Sequence, residues 1–292
     1  MLDDIRGQDQ ITHVIIPQGI TSIEPYTFQD CRSLTSVTIP DSVTSIGRWA
    51  FKNCSSLTSI TIPDSVTSIG KGTFAECINL TDITIPDRVT EISKSTFQGC
   101  SSLTSIIIPN SVTSIEPNAF KDCIILTFIT IPDGVTKISE STFENCCSLS
   151  SINIPNHVTS IKEKAFFRCY GLNTITIPNG VTSIGPFALN DCCDLISITI
   201  PNSVTDIGDK AFSECDSLDF VIIPTNLERE DTNYWTAVGI DLKQTTLITH
   251  DNLSSYESGK KLSSTCSYYE LAILYQLKED DNFTPSLLAL GK

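Results

Sequence analysis

The chain contains 292 residues, of which 40% are hydrophobic and 18% are charged. Its 34 acidic residues outnumber its 19 lysines and arginines, and the formal net charge of −15 argues against nucleic acid as a partner, because such a surface repels phosphate backbones. No apolar run approaches the roughly 20 residues that span a bilayer, and the start of the chain has neither the basic residues nor the apolar core of a signal peptide. We therefore predict no membrane insertion.

A period of 23 residues runs through most of the chain. Ten prolines, from Pro17 to Pro224, follow one another at intervals of 23 without insertion or deletion. Relative to these prolines, Leu, Ile, Val, Phe and Cys recur in fixed columns, and the unit reads L-x-x-I-x-I-P-x-x-V-x-x-I-x-x-x-[AT]-F-x-x-C-x-x. The Phe column is interrupted once, by Leu189. Self-similarity at this period predicts a repeat solenoid, in which each unit buries its apolar side chains against its neighbours.

Each unit begins with a predicted strand. In the segment 57–62, apolar Ile60 and Ile62 alternate with polar residues, which is the period of a β-strand with one buried face. Pro63 ends the strand, because proline has no N–H to donate to the sheet. Val66 and Ile69 then follow at a spacing of three, and we expect them to line the rest of the interior.

The repeated unit resembles the leucine-rich repeat family, in particular its 23-residue BspA-like subclass, also called treponemal type. The resemblance covers about residues 11–224. It implies a repeat solenoid, a right-handed leucine-rich repeat superhelix with a parallel concave β-sheet and short convex strands or helical turns. The sequence then divides into a short N-terminal cap at 1–10, the solenoid of ten strand units at 11–224, and an α-containing C-terminal capping region at 225–292.

The capping region carries weaker signals of structure. The segment 242–248 has strand character and lies one residue beyond the register of the repeat, which predicts an eleventh, degenerate strand. Ser267 and Glu270 have capping-box spacing and predict an amphipathic helix that runs to about Leu277. Thr284 and the proline after it predict the start of a last short helix.

The cysteines form a column rather than a disulfide pattern. Nine of the twelve recur at the repeat period: Cys31, Cys54, Cys77, Cys100, Cys123, Cys146, Cys169, Cys192 and Cys215. Stacked coils place such side chains parallel, and an odd number cannot pair fully, so we predict a ladder of buried thiols. Cys147, Cys193 and Cys266 lie outside the ladder, and the sequence does not say whether they are reactive. Unpaired thiols favour a reducing compartment, whereas the resemblance implies a surface or secreted protein, so localisation stays open.

A candidate binding surface follows from the strand period. Residues two and four positions before each proline point out of the core onto the concave face, and most of them are Ser or Thr. Ile107 and Phe128 depart from this pattern on adjacent strands, as the apolar centre of a binding site does. The predicted partner-binding residues are Asp82, Thr84, Ser105, Ile107, Phe128, Thr130, Ser151 and Asn153. Phe220 and Ile222 occupy the same columns beside the capping region, and we expect them to be buried beneath it.

Catalysis has little support in the sequence. The three histidines, His13, His157 and His250, fall in distant parts of the repeat array and its tail, so they cannot converge on one site. The chain has no glycine-rich phosphate loop and no zinc-ligand spacing. We therefore predict that the protein is not an enzyme and that it uses no cofactor and no metal.

Three functions remain as hypotheses. The favoured one is a protein–protein interaction module that holds a protein or peptide on its concave sheet. The resemblance to BspA-like proteins implies that the partner is host matrix or another cell surface. The chain would then be an adhesin or a fragment of one. The second is a structural or intracellular scaffold. The third is an ice-binding solenoid, suggested by the Ser-x-Thr ladder, although curvature and the exposed Phe and Ile count against it. The oligomeric state is not determined, and a monomer is favoured.

Overall fold

The computed structural model describes residues 5–227 and 232–249. Successive coils of 23 residues each contribute two short parallel strands, one to a front sheet and one to a back sheet. The front strands are His13–Ile15, Ser36–Thr38, Ser59–Ile60, Asp82–Ile83, Ser105–Ile106, Phe128–Ile129, Ser151–Ile152, Thr174–Ile175, Ser197–Thr199, Phe220–Ile223 and Thr246–Thr249. The back strands are Ser22–Ile23, Ser45–Ile46, Ser68–Ile69, Glu91–Ile92, Ser114–Ile115, Lys137–Ile138, Ser160–Ile161, Ser183–Ile184 and Asp206–Ile207. The predicted stacked-coil solenoid with parallel sheets is therefore confirmed.

The front strands alternate as the sequence predicted. Ile60 and Ile62 are 6% and 5% exposed, whereas Ser59 and Thr61 face solvent. Neighbouring strands pair in parallel with an offset of one repeat, so that Ser59 lies opposite Asp82. The front sheet occupies the place of the sheet predicted as the concave face.

The turn after each front strand is closed by the proline itself. The carbonyl of Pro63 accepts a hydrogen bond of 3.0 Å from the N–H of Val66, and the same bond recurs from coil to coil. Proline thus ends the strand because it has no N–H to donate, and it begins the turn because its carbonyl accepts a hydrogen bond. Val66 is fully buried, and Ile69 in the back strand is 3% exposed. Both line the interior, as expected.

Phenylalanine rings stack inside the solenoid, at the turn that follows each back strand. The six successive ring pairs from Phe28 to Phe166 have centroid distances of 4.9–5.7 Å and nearly parallel planes. The backbone is also bonded between coils here, since the N–H of Phe28 donates to the carbonyl of Ala50 at 2.8 Å. Leu189 takes the place of a ring in its coil and is fully buried. Hydrogen bonds therefore join neighbouring coils at this turn as well as along the sheets.

The last described coil departs from the repeat. A 3-10 helix at Thr225–Leu227 and an α-helix, α1, at Thr232–Ala237 precede the eleventh front strand, Thr246–Thr249. The strand overlaps the predicted segment 242–248 and ends one residue beyond it, at Thr249. Thr246 pairs with Phe220, an offset of 26 residues, so the predicted shift of one residue was wrong. The coil is three residues longer than the repeat because it contains α1, which the sequence analysis did not predict.

Other predictions for the two ends are tested only in part. At the N-terminus, the N–H of Gly7 donates to the carbonyl of Gln29 at 2.9 Å, so this segment packs on the first coil. The helices predicted at 267–277 and from Thr284 lie outside the described residues. Neither helix of the described residues is long and apolar enough to cross a bilayer.

Candidate binding surface on the front sheet

The front sheet presents two outward columns of side chains, at positions four and two before each proline. Every outward residue from the second to the eighth front strand is exposed. These residues are Ser36, Thr38, Ser59, Thr61, Asp82, Thr84, Ser105, Ile107, Phe128, Thr130, Ser151, Asn153, Thr174 and Thr176. All eight predicted partner-binding residues thus lie on one continuous surface, on four consecutive strands.

This surface differs from the rest of the molecule in its charge. Among the outward positions of the first nine front strands, Asp82 carries the only formal charge. The chain as a whole has a net charge of −15. A nearly neutral, hydroxyl-rich face on an acidic protein suits hydrogen bonding and apolar contact better than ion pairing.

The apolar centre of the surface is formed by two strongly exposed side chains. Ile107 is 79% exposed and Phe128 is 57% exposed. Phe128 lies opposite Ser105, and Ile107 lies opposite Thr84, so the two apolar residues are diagonal neighbours on adjacent strands. Side chains of this size reach one another across such a diagonal.

Polar residues flank the apolar centre on both sides. Asp82 lies two strands before Phe128 in the same column, with Ser105 between them. On the other side, Asn153 lies opposite Thr130. The carboxylate and the amide each offer hydrogen-bonding groups beside a surface that a partner would dehydrate.

Two further apolar residues belong to this region and were missed by the sequence analysis. Ile124 and Ile125, in the turn before the strand of Phe128, are 44% and 40% exposed. No other coil carries two aliphatic residues here: one coil has Ser55 and Ser56, and another has Ile78 and Asn79. Comparing this column across the repeats, as was done for the strand positions, would have revealed them. We call Ile107, Ile124, Ile125 and Phe128 the apolar patch.

The tenth front strand behaves differently from the others. Ile222 is 1% exposed and Phe220 is half-buried, although both occupy outward columns. The predicted burial is therefore confirmed for Ile222 and holds only partly for Phe220. The residues predicted to cover them lie mostly outside the described part of the chain.

The cysteine column is a ladder of buried thiols, as predicted. Eight of its nine members are buried and Cys215 is half-buried, and the eleven cysteines of the described residues are all free. Each thiol donates to a backbone carbonyl 26 residues earlier; for Cys77 this acceptor is Phe51, at 3.1 Å. Burial raises the pKa of every ladder thiol, to about 12 for Cys215. Such thiols are poor nucleophiles.

The two described cysteines outside the ladder are half-buried. Burial raises the pKa of the Cys147 thiol. Burial and then the negative charge of Asp191 raise the pKa of Cys193 to about 11. Because the thiolate is the reactive form, neither site is activated as a catalytic cysteine would be.

The two described histidines lie in different coils. His13 lies in the first front strand, His157 lies in a turn of the seventh coil, and His250 is outside the described residues. Within the described ranges, no group of three or more His, Cys, Asp or Glu side chains is placed to hold a metal ion.

Short parallel strands, a proline-closed turn and a stacked Phe column, all at a period of 23 residues, define a leucine-rich repeat solenoid. The six-copy profile of the BspA type leucine-rich repeat region matches residues 6–127 and 113–238. These matches cover more than half of the sequence, and the chain belongs to the BspA-type leucine-rich repeat family.

Solved structures support the same assignment. A leucine-rich repeat protein from Bacteroides ovatus is 31% identical with a TM-score of 0.68, over 81% of this chain and 70% of that protein. Another from Eubacterium ventriosum is 27% identical with a TM-score of 0.52, over 82% and 73%. The pneumococcal vaccine antigen PcpA is 19% identical with a TM-score of 0.57, over 82% and 63%, and this likeness shows the fold alone. No curated protein matches the chain.

Proposed function

We propose that the protein is a non-catalytic protein–protein interaction module that binds a protein or peptide partner on its front sheet. The observation that carries the proposal is the apolar patch. Of the eight large hydrophobic side chains that are exposed in the described residues, four lie between positions 107 and 128. Exposed apolar side chains gathered in this way are typical of interaction sites, whereas scattered ones need no explanation.

The apolar patch is the source of affinity in this proposal. Fully burying a side chain such as Phe or Ile contributes about 1.5–3 kcal/mol. Phe128 and Ile107 already lose part of their exposure to the sheet, so each retains a share of that energy for a partner. Aromatic anchors at the centre of an interface typically carry most of its binding energy.

The residues around the patch provide specificity. The hydroxyls of Thr84, Ser105, Thr130 and Ser151 offer donors and acceptors to a partner backbone, and Asp82 and Asn153 border them. Because Asp82 is the one formal charge in these columns, salt is expected to have little effect on the affinity. By family membership we also infer a cell-surface role, as an adhesin or a fragment of one.

The test compares the intact protein with the double variant Ile107→Thr, Phe128→Ser. Both proteins are immobilised and used to capture partners from an extracellular-matrix extract, and captured proteins are quantified by mass spectrometry. We expect the double variant to lose the specific partners. When a captured partner is purified and titrated, its affinity for the double variant should be at least tenfold weaker, because about 2 kcal/mol of binding free energy is lost.

A matched control separates this site from general surface stickiness. Ile15 is 79% exposed, as Ile107 is, and it lies on the first front strand away from the apolar patch. Ile15→Thr removes the same side chain and should leave capture unchanged. Equal capture by the intact protein and the double variant would show that the patch is not the binding site.

A further inference from the structure

A row of three positive charges lies on the turn that follows the back strands. Arg48, Lys71 and Lys94 occupy the same column, eight residues after the proline, in three consecutive coils, and all three are exposed. In later coils the same column holds Glu140, Glu163 and Asp209. We call the first three residues the basic row.

The backbone holds the basic row in place. The N–H of Trp49, next to Arg48, donates to the carbonyl of Lys71 at 2.8 Å, and the N–H of Gly72, next to Lys71, donates to the carbonyl of Lys94 at 2.9 Å. Neighbouring members are thus separated by about one strand spacing, ~4.8 Å. Like charges on neighbouring turns repel each other, and an anion bound along the row would relieve that repulsion.

Aromatic rings contact Arg48 and Lys71, the first two residues of the basic row. The guanidinium of Arg48 lies 5.3 Å from the ring centroid of Tyr26 and 5.8 Å from that of Trp49, and the ammonium of Lys71 lies 5.1 Å from Trp49. Gly72 has φ +62°, and a Cβ at this position would fall 2.2 Å from the Trp49 ring. Glycine therefore makes room for the ring that carries the two cations.

The described carboxylates do not pair with the basic row. Among the described residues, none of its three members forms an ion pair. Glu24 of the preceding coil accepts a hydrogen bond from Ser22, and Glu91, three residues before Lys94, accepts one from Ser93. Exposed charges more than about 8 Å from a bound ligand act on it only weakly, because they are screened at physiological salt.

We propose that the basic row is a binding site for a linear anionic polysaccharide. A polymer with sulfate or carboxylate groups along its length matches a straight line of cations. A single-stranded nucleic acid matches less well, because its bases need open aromatic faces for stacking. The rings of Tyr26 and Trp49 are instead flanked by cations, Tyr26 by Arg6 at 5.6 Å as well as by Arg48. This site is separate from the front sheet and from the partner proposed there.

The experiment titrates the full chain with heparin, with neutral dextran and with single-stranded oligothymidine. We expect heparin to bind, dextran not to bind, and oligothymidine to bind at least about tenfold more weakly than heparin. In the variant Lys71→Gln, Lys94→Gln the affinity for heparin should fall about tenfold or more at low salt. Its slope of log affinity against log salt should become shallower by about 1.5 for the two lost ion contacts.

A matched variant tests whether position or net charge matters. Lys164→Gln, Lys210→Gln removes the same charge from two residues that lie 5.8 Å from the Phe187 ring, in coils whose neighbouring column is acidic. It should bind heparin as the intact protein does. Lys94→Gln alone, which disturbs no recorded ring contact, keeps the test valid if the double variant misfolds, and should give about half the change in slope. No heparin binding, equal weakening by both double variants, or equal affinity for oligothymidine would overturn the proposal.

Discussion

At the scale of single residues, the described cysteines fall into two chemical groups. The ladder thiols, such as Cys100 and Cys123, are fully buried and donate to backbone carbonyls. Each acts as a small apolar side chain that also satisfies an acceptor inside the coil. Cys147 and Cys193 lie beside the ladder, are partly accessible and form only long contacts to oxygen atoms, between 3.4 and 3.8 Å.

These differences predict which thiols react in the native protein. With an alkylating reagent at pH 8, Cys147 and Cys193 should be labelled, while the eight buried ladder thiols should react only after unfolding. The variant Asp191→Asn should speed labelling of Cys193, because the negative charge that raises its pKa is removed and the thiolate fraction increases. Peptide-resolved mass spectrometry measures each site. Asp133→Asn, in a different coil, is the control and should leave the labelling rate of Cys193 unchanged. Rapid labelling of Cys100 in the native protein would contradict its burial.

At the scale of structural elements, the stacked phenylalanine rings join seven successive coils, from Phe28 to Phe166. Phe97 is fully buried and its centroid lies 5.7 Å from that of Phe74 and 5.5 Å from that of Phe120. Removing it leaves a cavity between two coils and ends two ring contacts. Each ring contact is worth about 0.5–1.5 kcal/mol beyond the buried area.

We therefore expect Phe97→Ala to lower the free energy of unfolding by about 3–5 kcal/mol. Phe128→Ala, which removes the same side chain from the exposed front sheet, should change it by less than about 0.5 kcal/mol. Urea unfolding followed by circular dichroism measures both variants. Equal losses for the two would mean that the ring column is not what holds neighbouring coils together.

The front sheet could be predicted from the sequence, whereas the length of the last coil could not and one exposed turn was missed. The alternation around Ile60 and Ile62 predicted the front sheet, and hence the outward position of Phe128, because a strand buried on one face has only one way to orient its side chains. The length of the last coil could not be predicted, because α1 adds residues after the repeat columns have ended and nothing remains there to align. Ile124 was missed for another reason: it lies in a turn column that the sequence analysis did not compare across the repeats.

At the scale of the whole molecule, stability depends on a chain of nearly identical coils, none of which buries its apolar side chains alone. The cysteine ladder runs through nine of these coils, so its protonation acts on the entire array. Each ladder thiol has a higher pKa in the folded chain than the ordinary value of 9.0. The folded state therefore retains protons that the unfolded state releases as the pH rises above about 9.

This difference predicts that the protein loses stability in alkaline solution. The contribution of the thiols is complete below about pH 9 and declines above it, by up to ~1.4 kcal/mol per thiol for each pH unit. The urea midpoint should thus be nearly constant from pH 7 to 8 and fall steeply between pH 9 and 10. The variant Cys100→Ala removes one fully buried thiol, so its loss of stability per pH unit should be smaller by up to ~1.4 kcal/mol. A midpoint that stays level to pH 10, or the same pH dependence in the variant, would show that the ladder does not couple protonation to folding.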